Sequence, residues 1–222
     1  MTNLLAALQL ADSAFPIGGF ALSHGLESAV ELGVARDLTD VEAYLATLLR
    51  AQLATLDLAA VAAAHRSGSD AAAAGLDRAL LARKLAREPR EAQRRAGRAL
   101  LGAASALGAD LSGYARLVAA GGAPGLHPIV HGLAARAVGL DANVACLTFA
   151  HGFALGGLGA AVRLLPIGHL EQQAALLRLR PVIEAAVATA LSTPPQEWHA
   201  FAPQAELFAM RHERGLTRSF AT

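Results

Sequence analysis

The chain has 222 residues, a formal net charge of +1 and a single cysteine, and 54% of its residues are hydrophobic. This length and hydrophobicity exclude general disorder and allow one large domain with a sizeable core. The balanced charge argues against general nucleic-acid binding, and one cysteine excludes both an intrachain disulfide and a cysteine-rich zinc site.

The composition favours helices. Alanine and leucine are frequent and aromatic residues make up only 5% of the chain, so helix propensity is high and strand propensity is low. Hydrophobic periodicity and turn residues predict helices at approximately residues 4–10, 23–33, 39–67, 70–88, 89–107, 111–120, 128–139, 141–165 and 169–191. No linker is long enough to mark a domain boundary. We therefore predict an all-α fold, a single-domain bundle of about eight to ten helices over residues 1–222.

Several residues suggest where these helices begin, bend or end. Thr39 and Glu42 have the spacing of a capping box, which would open the long third helix. Pro89 is expected to separate two helices, Pro128 suits a first helical turn, and Pro181 predicts a kink or break in the last long helix.

Residues 142–162 contain no formally charged side chain and are just long enough to span a bilayer. Asn143, Thr148, His151 and four glycines argue against insertion, so we predict a buried central helix instead of a membrane span. The N-terminus has no positively charged segment typical of a signal peptide. A cytoplasmic protein outside the membrane is expected.

Two histidines have spacing that suits a metal. His127 and His131 are four residues apart and can share one helical face, but two ligands hold a metal weakly. Capping by His127 and packing of His131 is the simpler interpretation. The alternative function is a metal-dependent helical enzyme that uses both histidines and a third ligand.

Arginines and one lysine are concentrated in residues 78–98, where eight side chains are basic. A solvated helix face is the simplest interpretation, and an acidic protein surface is the next. Nucleic acid is less favoured because no aromatic side chain lies in this segment to stack on bases.

The C-terminal tail, at about residues 196–222, changes character after Pro194 and Pro195. Trp198 and Phe208 are predicted to anchor its start, whereas few apolar residues follow Met210. We predict that the end is mobile in the isolated chain and becomes ordered on a partner. A frayed chain end is the alternative.

Three motifs resemble those of the UreF family of urease accessory proteins, in the same order and over nearly the whole chain. They are LQLADSAFPIGGF at residues 8–20 with SHGLE at 23–27, AVRLLPIG at 161–168, and FAP at 201–203 with RHE at 211–213, Arg218 and Phe220. Arg163 stands where many members have lysine, and His169 stands where many have glutamine.

The resemblance implies an all-α homodimer that catalyses no reaction itself. It implies binding to UreD (also called UreH), to the GTPase UreG and to apo-urease, in a complex that inserts nickel as UreG hydrolyses GTP. Nickel is expected to pass through the complex, with no cofactor bound tightly and no membrane or nucleic-acid partner. We expect no catalytic residue, and we expect partner contacts at Pro16, Gly18, Gly19, Phe20, Ser23, Gly25, Glu27, Arg163, Arg211, His212, Glu213, Arg218 and Phe220.

Overall fold

The structure is a computed structural model that describes residues 3–215 and 219–221. Within these residues the chain forms ten α-helices and no strand, which confirms the predicted all-α class. The helices are α1 (Leu4–Ala11), α2 (Leu26–Glu31), α3 (Leu38–His65), α4 (Asp70–Leu81), α5 (Arg87–Ala103), α6 (Ser112–Ala119), α7 (His127–Ala137), α8 (Ala142–Leu164), α9 (His169–Ser192) and α10 (Pro203–His212).

Helix α3 begins two residues earlier than its predicted capping box. Asp37 is the N-cap, and its carboxylate accepts a hydrogen bond from the backbone N–H of Asp40 at 2.9 Å. The predicted capping box of Thr39 and Glu42 is therefore wrong, because the side chain of Asp37 already accepts a hydrogen bond from a free N–H group of the first turn. Glu42 instead accepts a hydrogen bond from Arg178 of α9 at 2.9 Å.

The core is organised around two long apolar helices, α3 and α8. Helix α7 packs against the C-terminal part of α3, and α9 packs along both α3 and α8. The most apolar 18-residue windows of α3 and α8 are 72% and 50% buried, respectively. Both helices have the length and composition of a membrane span, but this burial is typical of core helices, and no membrane protein is indicated.

Two prolines have less effect on the helices than their positions predict. Pro89 lies in the first turn of α5, where its missing N–H costs no helical hydrogen bond, and the preceding helix already ends at Leu81. Pro181 lies inside α9, which continues unbroken from His169 to Ser192. Because Pro181 is exposed, solvent can reach the carbonyl group that it leaves unpaired.

The chain after α9 returns across α3. Trp198 and Phe208 are buried, as predicted. Between them, the N–H of Phe201 donates to the carbonyl of Ala51 at 2.8 Å, and the hydroxyl of Thr55 donates to the carbonyl of His199 at 2.7 Å. Ala51 and Thr55 belong to a π-helical stretch of α3, Leu49–Asp57, whose altered hydrogen-bond pattern presents backbone carbonyls to the crossing segment.

Candidate functional site

Local turns hold the loop between α1 and α2. The carboxylate of Asp12 accepts a hydrogen bond from the N–H of Ala14 at 2.9 Å. Gly18 has a φ of 76° and is followed by a single 3-10 turn, Gly19–Ala21. This turn leaves the side chain of Phe20 on the surface, where the residue is 68% exposed.

The two adjacent glycines of this loop differ in backbone requirement. Gly18 is in the left-handed region, whereas Gly19 is not. We expect Gly18→Ala to lower the free energy of unfolding by about 1 kcal/mol, since an L-residue with this φ places its Cβ close to the following carbonyl oxygen. Gly19→Ala is the matched control and should change stability less. Urea denaturation of both variants measures the difference, and equal stabilities would mean that the left-handed turn carries no strain.

Arg163 of α8 lies between two aromatic rings from opposite ends of the chain. Its guanidinium carbon is 4.0 Å from the centroid of the Phe20 ring and 4.1 Å from that of Phe220. Its Nη2 also donates to the carbonyl oxygen of Phe20 at 2.7 Å. The three motifs identified in the sequence therefore meet at one stacked cluster, in which each cation–π contact contributes about 0.5–1 kcal/mol when exposed.

Beneath this cluster, Glu27 of α2 binds the C-terminal segment. Its carboxylate accepts hydrogen bonds from His212 Nε2 at 2.8 Å, from the N–H of Ser219 at 2.8 Å and from the N–H of Phe220 at 3.2 Å. The other ring nitrogen of His212 lies 2.7 Å from a carboxylate oxygen of Glu88. His212 therefore bridges two carboxylates, one from α2 and one from α5, and helps to satisfy the buried carboxylate of Glu27.

The tail beyond Met210 is predicted to be ordered by a partner, and several of its described residues already have partners within the chain. His212 is only 4% exposed and Phe220 only 7%. Glu213 forms an ion pair with Arg87 of α5 at 2.8 Å. The tail is bound within its own chain because its polar groups find acidic and basic partners on α2 and α5, which the tail sequence alone does not reveal. Phe220 likewise packs within the chain, against the guanidinium of Arg163.

The other predicted contact residues are divided between the interior and the surface. Ser23 is buried and its hydroxyl accepts from the N–H of Glu27, while Gly25 has a φ of 82° at the start of α2. Pro16 and Arg211 are exposed. Arg218 lies outside the described residues.

His127 and His131 line a cavity of about 730 Å³ between the α1–α2 loop and helices α3, α5, α7 and α8. Their ring centroids are 5.6 Å apart. His131 Nε2 lies 3.0 Å from the hydroxyl of Thr148, whereas the ring of His127 stacks on Phe149 at a centroid distance of 4.9 Å. A third histidine, His24, lines the same cavity.

All three cavity histidines are neutral at pH 7. Burial lowers the pKa of His24 to about 4, of His127 to about 3 and of His131 to about 4, since a buried imidazolium loses its hydration. Across residues 3–215 and 219–221, no group of three or more histidine, cysteine or acidic side chains is close enough to hold a metal ion. A metal-dependent enzyme would need a third ligand beside His127 and His131, and the described residues place none close enough.

The cavity also contains a buried ion pair that the sequence analysis missed. Lys84 Nζ lies 2.7 Å from both carboxylate oxygens of Asp57, and Gln93 Nε2 donates to one of them at 2.7 Å. The side chains of Lys84 and Asp57 are only 4% and 2% exposed. The sequence does set Lys84 apart, because it is the one lysine beside eighteen arginines. A lysine ammonium is more compact than a guanidinium and fits a small buried site.

Comparison with known proteins gives a consistent result. Residues 35–180 match the family model described as UreF. A urease accessory protein UreF of Trichodesmium erythraeum is 36% identical over 226 residues, which cover 100% of this chain and 97% of the relative. Urease accessory protein UreF 1 of Brucella melitensis is 32% identical, covering 99% of this chain and 93% of the relative. A UreF of Cereibacter sphaeroides is 34% identical, covering 99% and 98%.

Proposed function

Because the chain belongs to the UreF family of urease accessory proteins, which are maturation factors and not enzymes, we propose that it is a scaffold for urease activation. In this proposal it forms a homodimer and binds UreD (UreH), the GTPase UreG and apo-urease. Nickel insertion is then coupled to GTP hydrolysis by UreG. This chain supplies binding surfaces and positions its partners, and it does not hydrolyse GTP or urea.

The stacked cluster of Phe20, Arg163 and Phe220 is the observation that most supports this proposal. It joins all three motifs, and two of its members, Phe20 and Arg163, are exposed. Arginine and aromatic side chains are the types that contribute most of the binding energy at protein interfaces. The guanidinium of Arg163 is already held between two rings, so little conformational entropy is lost when a partner covers it.

For nickel, we propose transient contact and no resident site. The cavity offers three imidazoles that are neutral at pH 7, which is the form that binds a metal ion. They line one cavity without forming a set of three ligands around one point. This arrangement fits a cargo ion that is bound weakly and released to the next protein of the complex.

Co-purification tests the scaffold and its surface together. The full chain is co-expressed with the UreD-like and UreG-like proteins of the same genome, and the complex is recovered through a tag on the UreD-like protein. We expect Arg163→Gln to reduce recovery of the complex about tenfold or more, because one stacked arginine at the centre of an interface can contribute about 2 kcal/mol. Arg180→Gln is the matched control, since Arg180 is exposed on α9.

The outcomes separate the function from the site. A wild-type chain that recovers neither partner contradicts the scaffold function. A wild-type chain that recovers both, with Arg163→Gln and Arg180→Gln equally effective, leaves the function in place and shows that the stacked cluster is not the contact surface.

A further inference from the structure

The structure divides the basic run of residues 78–98 into interior and surface groups. Lys84 is buried on Asp57. Arg78 donates to the carbonyl of Gly122 at 2.6 Å, and Arg83 donates to that of Trp198 at 2.9 Å. These three side chains already have hydrogen-bond partners within the chain, although Arg78 itself is exposed.

The other five arginines share the outer side of α5, and we name this side the arginine face. It consists of Arg87, Arg95 and Arg98, which are exposed, and of Arg90 and Arg94, which are half-buried. The opposite side of α5 is buried in the bundle through Ala92, Ala96 and Leu100, among others. With a rise of 1.5 Å per residue, the arginine face is about 17 Å long.

Only part of this face is neutralised. Arg94 pairs with Glu91 at 2.8 Å, and Arg87 pairs with Glu213 at 2.8 Å. Arg90, Arg95 and Arg98 have no hydrogen bond or ion pair within the described residues. Helix α5 contains five arginines and two glutamates and so carries a formal charge of +3, whereas the whole chain has a formal net charge of +1.

We propose that the arginine face docks an acidic helix of a partner protein. Arg90, Arg94 and Arg98 repeat every four residues, so they form a row with a spacing of about 6 Å. Carboxylates at the same spacing on a partner helix would lie opposite this row, and guanidinium groups bind carboxylates with two parallel hydrogen bonds.

A nucleic acid fits this surface less well than an acidic helix. Helix α5 contains no aromatic residue, so the arginine face has no side chain on which a base could stack. Three unpaired arginines are also fewer than the roughly six to ten phosphate contacts typical of a protein that binds duplex DNA. The face is short and carries one row of charge, which suits a single helix.

The experiment measures binding of a synthetic helix to the full chain. The probe is a fluorescent, end-capped peptide of about 20 alanine-rich residues with glutamate at every fourth position, and its control has glutamine at those positions. We expect the glutamate peptide to bind at about 50 mM salt and to weaken strongly at about 500 mM, since exposed charges are screened. Fluorescence anisotropy reports the dissociation constants.

Two triple variants test the location of binding. Arg90→Gln, Arg95→Gln and Arg98→Gln together should weaken binding of the glutamate peptide about tenfold, because the variant removes the three arginines that have no partner within the described residues. The matched control combines Arg50→Gln, Arg116→Gln and Arg180→Gln, which are exposed on other helices and change the net charge equally. The control variant should keep the wild-type affinity.

Three results would overturn the proposal. The first is equal weakening in both triple variants, which would indicate a general charge effect. The second is equal binding of the glutamate and glutamine peptides. The third is tighter binding of a duplex DNA of about 20 base pairs than of the glutamate peptide at the same salt, which would assign the face to nucleic acid. Circular dichroism and thermal unfolding confirm that both variants are folded.

Discussion

Glu27→Ala is expected to lower the free energy of unfolding by about 3–5 kcal/mol, the range found when one partner of a buried charge pair is removed. Glu27 is 5% exposed and binds the C-terminal segment through three hydrogen bonds. The substitution leaves the N–H groups of Ser219 and Phe220 without this acceptor. It also removes the hydrogen-bond partner of His212 Nε2 in the interior. Urea denaturation followed by circular dichroism measures the loss.

Glu31→Ala is the matched control for this prediction. Glu31 lies on the same helix, α2, and is exposed. An exposed substitution away from special contacts usually changes stability by less than about 0.5 kcal/mol. If Glu27→Ala and Glu31→Ala differ by less than about 1 kcal/mol, the tail contacts contribute little to the fold, and the prediction is wrong.

The same carboxyl group predicts a dependence of stability on pH. Burial alone would raise the pKa of Glu27, but the hydrogen bonds from Ser219 and His212 outweigh it and hold the pKa below the usual 4.5. A carboxyl group with a lowered pKa stabilises the fold above its unfolded pKa and loses that contribution as the pH falls through the folded pKa. Glu27→Gln should therefore flatten the acid loss of stability below about pH 4.5, whereas Glu31→Gln should not.

Gly97→Ala is expected to lower the free energy of unfolding by about 2–3 kcal/mol, because it overpacks a contact between backbones. Gly97 lies on the buried side of α5. A Cβ atom there would be 2.0 Å from the carbonyl oxygen of Gly125 and 2.9 Å from the N of His127. No side-chain rotation can relieve a clash with the main chain, so the helix or the loop must move.

The loop that Gly97 contacts is held firmly by Asp77. The carboxylate of this buried residue accepts hydrogen bonds from the N–H of Gly125 at 2.6 Å, the N–H of Leu126 at 3.2 Å and the hydroxyl of Tyr114 at 2.6 Å. Movement of the loop would break these bonds and leave a buried acceptor unpaired. We therefore expect the loop to resist, and the cost to appear as lost stability.

Gly102→Ala, in the same helix, is expected to raise stability instead of lowering it. Gly102 is exposed, and a Cβ atom there would meet no other atom within 4 Å. Alanine is the better helix former, so this variant should gain up to about 1 kcal/mol. Thermal unfolding of both variants tests the pair. A Gly97→Ala variant as stable as Gly102→Ala would show that α5 can move away from the loop at little cost.

The family of this protein could be predicted from short motifs, because each motif lies within one short segment of the chain. Residues 8–27 and 161–168 contain enough specific glycine, proline and aromatic positions to identify the UreF family, which the family model and full-length relatives confirm. The separation of Trp198 and Phe208 from the preceding helix was also predictable, because prolines end helices through their own geometry.

The positions of the basic side chains in residues 78–98 could not be predicted from the sequence. These eight cationic side chains carry the same charge, and helical spacing alone could not distinguish a solvated face from internal contacts. In the fold, Lys84 forms a buried ion pair with Asp57, Arg83 donates to the carbonyl of Trp198, and Arg87 forms an ion pair with Glu213. Only tertiary packing decided which arginines remained on the surface.

The amino-acid sequence by itself determined the helical class, most helix positions and the family, since these depend on propensity, periodicity and motifs within about 20 residues of one another. Only the tertiary structure brought His212 against Glu27, 185 residues away in the chain, and placed Arg163 between Phe20 and Phe220. The physical reason is that ion pairs and stacking act over a few ångströms in space, and spacing along one chain does not reveal which distant elements the core brings together.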